Sequence, residues 1–403
     1  MKEIGSFVNP KNIALIGASE LEGKVGNVLM KKLLKFKGEI IPISIKHEKI
    51  LGIKAYPSVL DYKEKIDLAI IAIPSENVKQ VLEECGKKKI KNVIIISAGF
   101  SEIGNNKLEE EIIEISKKYK INLLGPNCFG VANPYLNLDT TFSNLSAKKG
   151  STAFISQSGA LWSYVADISH SKNLGFSAYI SLGNMADLEF SDFIEYFNKD
   201  KRTKKIILYI EKLKQGKRFI EVCKKSRKKI IVIKAGKTKK GKEATISHTG
   251  SLATDFEIYK GAFKQAGVEL VESFPEAFNI PKQKIKPKGK KITIVTNAGG
   301  AGALLTDYLV EMKYDVQPPI DLIGTALAED YKKTFNKLKK EDSDSIVVIL
   351  TPQAMSQPEE TAKEIVKLSK FKSVIAVFLG AKSITKAKKI LSMEKIKCYT
   401  SLP

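Results

Sequence analysis

The chain has 403 residues, 43% hydrophobic and 28% charged with 14 prolines, which exceeds one hydrophobic core and describes an ordinary globular protein of two or three domains. Its four cysteines (Cys85, Cys128, Cys223, Cys398) are far apart with no C-x-x-C pair, against a zinc site or disulfide framework and for a reducing compartment. The formal charge of +23 comes from lysines scattered over helix faces, as in Lys87-Lys88-Lys89 and positions 237–242. With no aromatic interleaving and no nucleic-acid-binding motif, this reads as a solvated basic surface open to an acidic partner or polyanionic small molecules, not as a nucleic-acid binder.

No apolar run reaches membrane-spanning length, and the first ten residues lack the apolar core of a signal peptide, so a cytoplasmic location and no membrane contact are expected. Along the chain, short β-branched runs alternate with lysine- and glutamate-rich amphipathic stretches, the pattern of parallel sheets covered by helices. In the first unit, strands are predicted at 12–17, 40–45, 67–74 and 92–97, closing with 121–124. Gly125-Pro126-Asn127-Cys128-Phe129-Gly130, with Asn133-Pro134, reads as the connection onward.

The first strand runs into Gly17-Ala18-Ser19-Glu20-Leu21-Glu22-Gly23-Lys24-Val25-Gly26, with a helix expected from Asn27. Glycines there let backbone N–H groups approach a pyrophosphate at the helix start. The spacing is not G-x-G-x-x-G, and an ordinary strand–helix turn is the alternative. A dinucleotide site wants an acidic residue near the end of the second strand. Here Ile43-Ser44-Ile45-Lys46-His47 is cationic instead, which suits a nucleotide with an extra phosphate. Ile73-Pro74-Ser75 and Ser97-Ala98-Gly99 put further small residues at the carboxyl edge, where open α/β sheets bind ligands.

A second series is predicted at 151–155, 176–181, 205–210, 229–234 and 268–271. Ser156-Gln157-Ser158-Gly159 follows its first strand and opens a helix, a second cradle of backbone N–H groups sized for phosphate. Glu211 ends another strand, 37 positions before His248 in Ser247-His248-Thr249-Gly250-Ser251. His248 is expected where a helix begins, and a carboxylate accepting its Nδ1 proton would leave Nε2 free to take a phosphoryl group. Each piece alone has a plain alternative: a helix cap at Ser158-Gly159, a surface charge at Glu211, a padding histidine at 248. His47 and His170 read as exposed, Trp162 as core, and Asn184 and Asp187 as a loop near the site or the start of the helix at 191–197. Between 281 and 289 two prolines, a glycine and four lysines describe a linker. A third series follows at 292–296, 345–351 and 373–379.

Gly17-Ala18-Ser19, Gly125-Pro126-Asn127-Cys128, Ser156-Gln157-Ser158-Gly159, Gly183-Asn184-Met185-Ala186-Asp187, Ser247-His248-Thr249-Gly250 and Thr296-Asn297-Ala298-Gly299-Gly300 occur in one order. In this the chain resembles the α subunit of ADP-forming acyl-CoA synthetases (acetate–CoA ligases), relatives of the succinyl-CoA synthetase α subunit. The resemblance covers nearly the whole chain. It implies an α/β fold: a Rossmann-like CoA-binding domain (1–130), a flavodoxin-like ligase domain carrying the phosphohistidine (147–283) and a second, possibly shortened flavodoxin-like domain (290–403).

It also implies that Gly17, Ala18, Ser19, Lys24, Val25, Gly26, Lys46, Ile73, Pro74, Ser75, Ser97, Ala98 and Gly99 surround CoA. Gln157, Ser158, Gly159, Thr249, Gly250 and Ser251 would hold phosphate between two helix starts, with His248 and Glu211 catalytic and no metal bound by this chain. ADP or ATP with Mg²⁺ would come from an ATP-grasp β subunit in an α2β2-type assembly, no such domain or phosphate-loop motif being present here. The substrate would be a small carboxylic acid and its CoA thioester.

The chain departs from the family at Ser44-Ile45-Lys46, where an Asn-Pro-Lys-like sequence is usual, and in a short third unit ending at Ser401-Leu402-Pro403. The acyl group and the direction of reaction are not readable from the residues. The alternatives are a CoA-binding regulatory protein of the same fold without turnover, and an NADP-dependent oxidoreductase, the latter resting on the glycine loop and Lys46 alone.

Overall fold

The computed structural model describes residues 2–249 and 255–403, excepting the side chains of 246–249. The first unit contains β1 (Asn12–Ile16), β2 (Glu39–Ile43), a hairpin of β3 (Lys49–Ile50) and β4 (Ile53–Lys54), then β5 (Leu68–Ile71), β6 (Asn92–Ile95) and β7 (Asn122–Leu124). Its parallel sheet runs β2-β1-β5-β6-β7. Helices α1 (Val25–Leu33), α2 (Val78–Lys87) and α3 (Asn106–Tyr119) cover it. Every residue of β5 and β6 is buried, as expected of strands covered on both faces.

The second unit opens with β8 (Val131–Asn133) and β9 (Leu138–Asp139), followed by β10 (Lys148–Ser156), β11 (Gly175–Ser181), β12 (Lys205–Ile210), β13 (Lys229–Lys234) and β14 (Glu269–Val271). The sheet order is β14-β13-β12-β10-β11-β8-β9, with β8 and β9 added antiparallel at one edge. Its helices are α4 (Ala160–Ser171), α5 (Phe190–Lys199), α6 (Gly216–Lys225), α7 (Lys239–Thr249), α8 (Phe256–Ala266) and the short α9 (Phe274–Ala277). Trp162 is fully buried and stacks on Tyr179 at 4.2 Å, so it is core.

The third unit holds β15 (Lys291–Thr296), β16 (Asp315–Val316), β17 (Ile320–Asp321), β18 (Ser345–Leu350), β19 (Ser373–Phe378) and β20 (Cys398–Tyr399). The order is β16-β15-β18-β19-β20, with β17 also pairing with β15. Helices α10 (Gly299–Glu311), α11 (Ala328–Leu338), α12 (Pro358–Ser369) and α13 (Thr385–Met393) pack on it. Counting only the main parallel strands, all three units share the order 2-1-3-4-5. Each therefore has a switch point between its first and third strands, where ligand crevices form. No described helix is long and apolar enough to cross a membrane.

The units are tied by buried polar contacts. Asp167 on α4, 1% exposed, accepts the backbone N–H groups of Ala381 (2.8 Å), Lys382 (3.1 Å) and Ser383 (3.2 Å) in the loop after β19. Asp307 on α10 does the converse: it accepts from Gly236 (2.7 Å), Lys237 (3.0 Å) and Thr238 (2.8 Å), after β13. Asn184 joins the second unit to the first, donating to Glu102 (2.7 Å) and Glu109 (2.8 Å). Asp187 accepts from the Leu123 N–H at 3.0 Å. The Asn184–Asp187 loop thus clamps two units together, a role the sequence reading did not assign.

Two further expectations change. Residues 281–289 are not a free linker. Ile285 is fully buried, Gln283 accepts from the N–H groups of Thr400 and Ser401, and the Lys288 carbonyl accepts from Ser345, so the stretch is a strap along the third unit. Helix α1 begins at Val25, not Asn27, because Lys24 already takes the extended backbone of an N-cap.

Lys32 on α1 donates to Asp139 (2.8 Å) and Ser143 (2.8 Å), joining the first unit to the edge of the second sheet with both side chains mostly buried. Lys32→Ala leaves that buried carboxylate without its counter-charge, held only by Thr141 and Ser146. Denaturant unfolding should show a loss of about 3 kcal/mol, the scale for removing one partner of a buried pair.

Candidate functional site

The first crevice lies at the β1/β5 switch point. A Cβ on Gly17 would strike the Ala72 carbonyl, and one on Gly26 would strike the Gly17 carbonyl, so the loop closes tightly on the first turn of α1. That closure leaves the N–H groups of Val25 and Gly26 at the helix start unpaired, while the Lys24 N–H donates to the Leu21 carbonyl at 3.3 Å. Ser19 stabilises the loop, its Oγ accepting the Leu21 N–H at 3.0 Å and its carbonyl accepting from Asn27 at 3.1 Å. Across the crevice, Ser97 Oγ donates to the Ile73 carbonyl and Glu102 accepts the Gly99 N–H. Gly17, Ala18, Ser19, Ile73, Pro74, Ser75, Ser97, Ala98 and Gly99 therefore share one sheet edge. Lys46 is exposed beyond β2, free of the core.

The second crevice lies at the β10/β12 switch point. Gln157 spans it: its Oε1 accepts the N–H groups of Glu211 (2.6 Å) and Lys212 (2.9 Å), while its buried Nε2 has no partner. Glu211 is 5% exposed, and both carboxylate oxygens lack a hydrogen-bond partner among the described residues. Tyr209 donates instead to the Gly300 carbonyl at 3.1 Å. Burial, then the adjacent Glu211 carboxylate, push that phenol well above its ordinary pKa of 10.0, keeping it a donor.

Opposite Ser158-Gly159 stands the start of α10. A Cβ on Gly300 would fall 2.5 Å from the Ser158 Cβ and 2.9 Å from the Tyr209 hydroxyl, so the glycine permits near contact between the two helix starts. The two anion-favouring ends that face each other are thus those of α4 and α10. The sequence placed the second at Gly250-Ser251, which lie outside the described residues, together with the side chains of His248 and Thr249. The Gly299-Gly300 start was visible only as a strand followed by paired glycines.

His248 is not at a helix start. Its backbone lies within α7, nine residues after the first. The helix begins nine residues earlier because Thr238 caps it, its Oγ1 accepting the Gly241 N–H at 3.0 Å. Helix α7 also lies against the Ser101–Ile103 turn of the first unit, beside the first crevice. His47 and His170 are exposed. Among the described residues no group of three or more His, Cys, Asp or Glu gathers as a metal site.

Lys234, at the end of β13, was missed by sequence reasoning because a lysine closing a strand looks like a surface residue. It is 3% exposed, donates to the carbonyls of Glu211 (2.9 Å) and Ala235, and sits 4.5 Å from the Tyr259 ring centroid. Burial lowers its pKa from 10.5 to about 8, despite the carboxylates of Asp307 and Glu211.

A glycine-closed strand–helix loop on one doubly wound sheet, and a crevice with unpaired buried polar groups on the next, define an α/β protein with ligand crevices at its switch points. Residues 11–134 match the CoA binding domain, and 149–283 match the succinyl-CoA ligase like flavodoxin domain. The acetate–CoA ligase [ADP-forming] II α subunit of Pyrococcus furiosus is 40% identical, over 98% of this chain and 93% of its own. The acetate–CoA ligase [ADP-forming] of Methanocaldococcus jannaschii is 47% identical over 82% of this chain, but the match spans only 46% of that longer protein. The solved dinucleotide-forming acetyl-coenzyme A synthetase 1 of Candidatus Korarchaeum cryptofilum, in complex with phosphate and ADP, superposes with a TM-score of 0.67. It is 35% identical over 99% of this chain and 94% of that one. The chain belongs to the ADP-forming acetate–CoA ligase family, which makes it an acid–thiol ligase chain of α-subunit type.

Between pH 8 and 10.5 the unfolded chain holds a proton on Lys234 that the folded chain has released, so folded stability rises with pH there. Relative to Lys234→Met, wild type should gain on the order of 3 kcal/mol across that window, at about 1.4 kcal/mol per unit. Paired denaturant melts at several pH values check this. A gap that stays flat places the ammonium in water.

Proposed function

We propose that this chain is the α subunit of an ADP-forming acyl-CoA ligase that converts acyl-CoA, phosphate and ADP into acid, CoA and ATP, reversibly. Residues 1–130 would bind CoA on the Gly17–Gly26 loop, with Lys46 near the extra phosphate. Residues 147–283 would carry the phosphoryl chemistry, and 290–403 would supply the opposing helix start. A phosphate oxygen attacks the thioester carbonyl and the C–S bond breaks, giving acyl phosphate and CoA thiol, which takes up the phosphate proton. Nε2 of His248 then attacks phosphorus, and the P–O bond to the carboxylate breaks. The β-phosphate oxygen of ADP finally takes the phosphoryl group as the P–N bond breaks. Splitting one transfer into two through a histidine is ordinary nucleophilic catalysis.

The observation that carries this reading is the pair of unsatisfied groups at the second crevice. A buried carboxylate without a hydrogen-bond partner is costly unless a donor arrives. An imidazole Nδ1–H supplies it and leaves Nε2 as the nucleophile. The neighbouring Gln157 Nε2–H and the starts of α4 and α10 can hold the phosphoryl oxygens without a metal of their own. ADP and Mg²⁺ would come on an ATP-grasp β subunit, in a hetero-oligomer of α2β2 type, consistent with the subunit naming of the Pyrococcus relative. The acid is a small carboxylate whose identity the crevice leaves open.

Mixing the chain with its ATP-grasp partner and labelled ATP should put acid-labile, base-stable label on the wild type and none on His248→Ala. Glu211→Gln, which accepts an N–H less well, should slow labelling by about 100-fold, the scale for a misplaced reacting group. Label surviving in His248→Ala overturns the site. CoA binding without any label identifies a chain that has lost turnover. Separately, Gly26→Val should abolish CoA binding in calorimetry while leaving the melting temperature of the second and third units intact.

A further inference from the structure

The helix that carries His248 is rooted not in its own unit but in the third. All three backbone N–H groups leading into α7, from Gly236, Lys237 and Thr238, converge on the Asp307 carboxylate, and Thr238 Oγ1 adds a fourth bond at 2.9 Å. Asp307 is 4% exposed. Gly241, in the first turn of α7, lies so close that a Cβ would collide with that carboxylate. The backbone before this root is fixed by Lys234, whose ammonium holds the Glu211 and Ala235 carbonyls together.

Asp307 lies eight residues after Gly299, the first residue of α10, a little over two helical turns or about 12 Å along the axis. One rigid helix therefore presents its start to the Ser158 cradle and its middle to the root of α7. We propose that Asp307 is a positioning residue for phosphoryl transfer: through α10 and α7 it sets where His248 stands relative to the phosphate held between the two helix starts. This rests on the His248 reading above.

Asp167 supplies an internal comparison. It makes the same kind of clamp, on the loop after β19, but that loop leads to α13 and not to the histidine helix. Both clamps are buried carboxylates that accept three successive backbone N–H groups, and only Asp307 roots α7.

The test uses the assembled αβ enzyme and labelled ATP, following both the rate constant of label uptake and the final amount bound. Asp307→Asn keeps the shape but turns an N–H₂ toward backbone donors. Its labelling rate should fall 10- to 100-fold, the cost of about 1 Å of misplacement, with the plateau and the KM for CoA unchanged. Asp167→Asn should lower the melting temperature as much while labelling at close to the wild-type rate. Thr238→Val, which removes one of the four bonds to Asp307 together with the cap on the Gly241 N–H, should slow labelling to a lesser degree and covers the case in which Asp307→Asn does not fold. The pH profile adds a second readout. Asp307 raises the Lys234 pKa, with Glu211 acting alike and Lys242 and Lys237 opposing. Losing the Asp307 charge should therefore move any alkaline fall in rate, near pH 8 in wild type, to lower pH.

Equal labelling rates in wild type and both Asp307→Asn and Thr238→Val overturn the inference. So does a lower plateau at an unchanged rate, which marks a purely structural loss. A wild type that takes no label at all counts instead against the phosphohistidine.

Discussion

A buried carboxylate that accepts three backbone N–H groups from a neighbouring unit cannot be exchanged for apolar packing without stranding every one of those donors. This chain has two such clamps, reciprocal in design: Asp167 reaches from the second unit to the third and Asp307 from the third to the second. Each sits on the first helix of its unit and grips the loop after the other unit's fourth main strand. With identical strand orders, the two flavodoxin-like units behave as mirrored partners joined face to face. The near contact of Gly300 with Ser158 follows from that docking, because the clamps and the glycine lie along the same pair of helices. Helix α10 can be glycine- and alanine-rich and apolar on nearly all sides because it is enclosed by its own sheet, α4 and α7.

The shared strand order explains where function lies. Three switch points offer three crevices, and their chemistries differ through loop residues alone. At the first, Gly17 and Gly26 close the loop to expose N–H groups. At the second, Gln157 bridges to Glu211 and leaves an acceptor and a donor unspent. At the third, Asn297 is fully engaged, donating to the Thr351 carbonyl and to Gln353 while accepting the Thr351 N–H. The Asn297 amide is thus spent within its own crevice, whereas the orphaned buried groups of Gln157 and Glu211 remain open to a ligand.

Much of this was readable from residues. The β-branched runs located the principal parallel strands, since strands covered on both faces must be continuously apolar, and the loops at Gly17, Ser156 and Glu211 fell where the switch points are. What stayed hidden depends on contacts distant in sequence. Lys234 looks solvated until the sheet closes over it. The strap at 281–289 looks unburied until Gln283 meets Thr400 and Ser401. The start of α7 was misplaced because Lys239-Lys240-Gly241-Lys242 reads as a polar loop, and only the Asp307 carboxylate, 66 residues beyond Gly241, satisfies the donors of the residues that lead into it.

That displacement changes the electrostatics of the proposed intermediate. A helix interior offers no unpaired N–H groups, unlike a helix start. With His248 nine residues after the first residue of α7, its own helix lends a bound phosphoryl group no such donor. Favourable charge would then come from α4, α10 and Gln157, which belong to the crevice and not to the histidine. A phosphoryl group stabilised by its surroundings, while its carrier adds nothing, is held only where those surroundings are. Such an arrangement suits a relay, in which the carrier must give up its load as readily as it takes it.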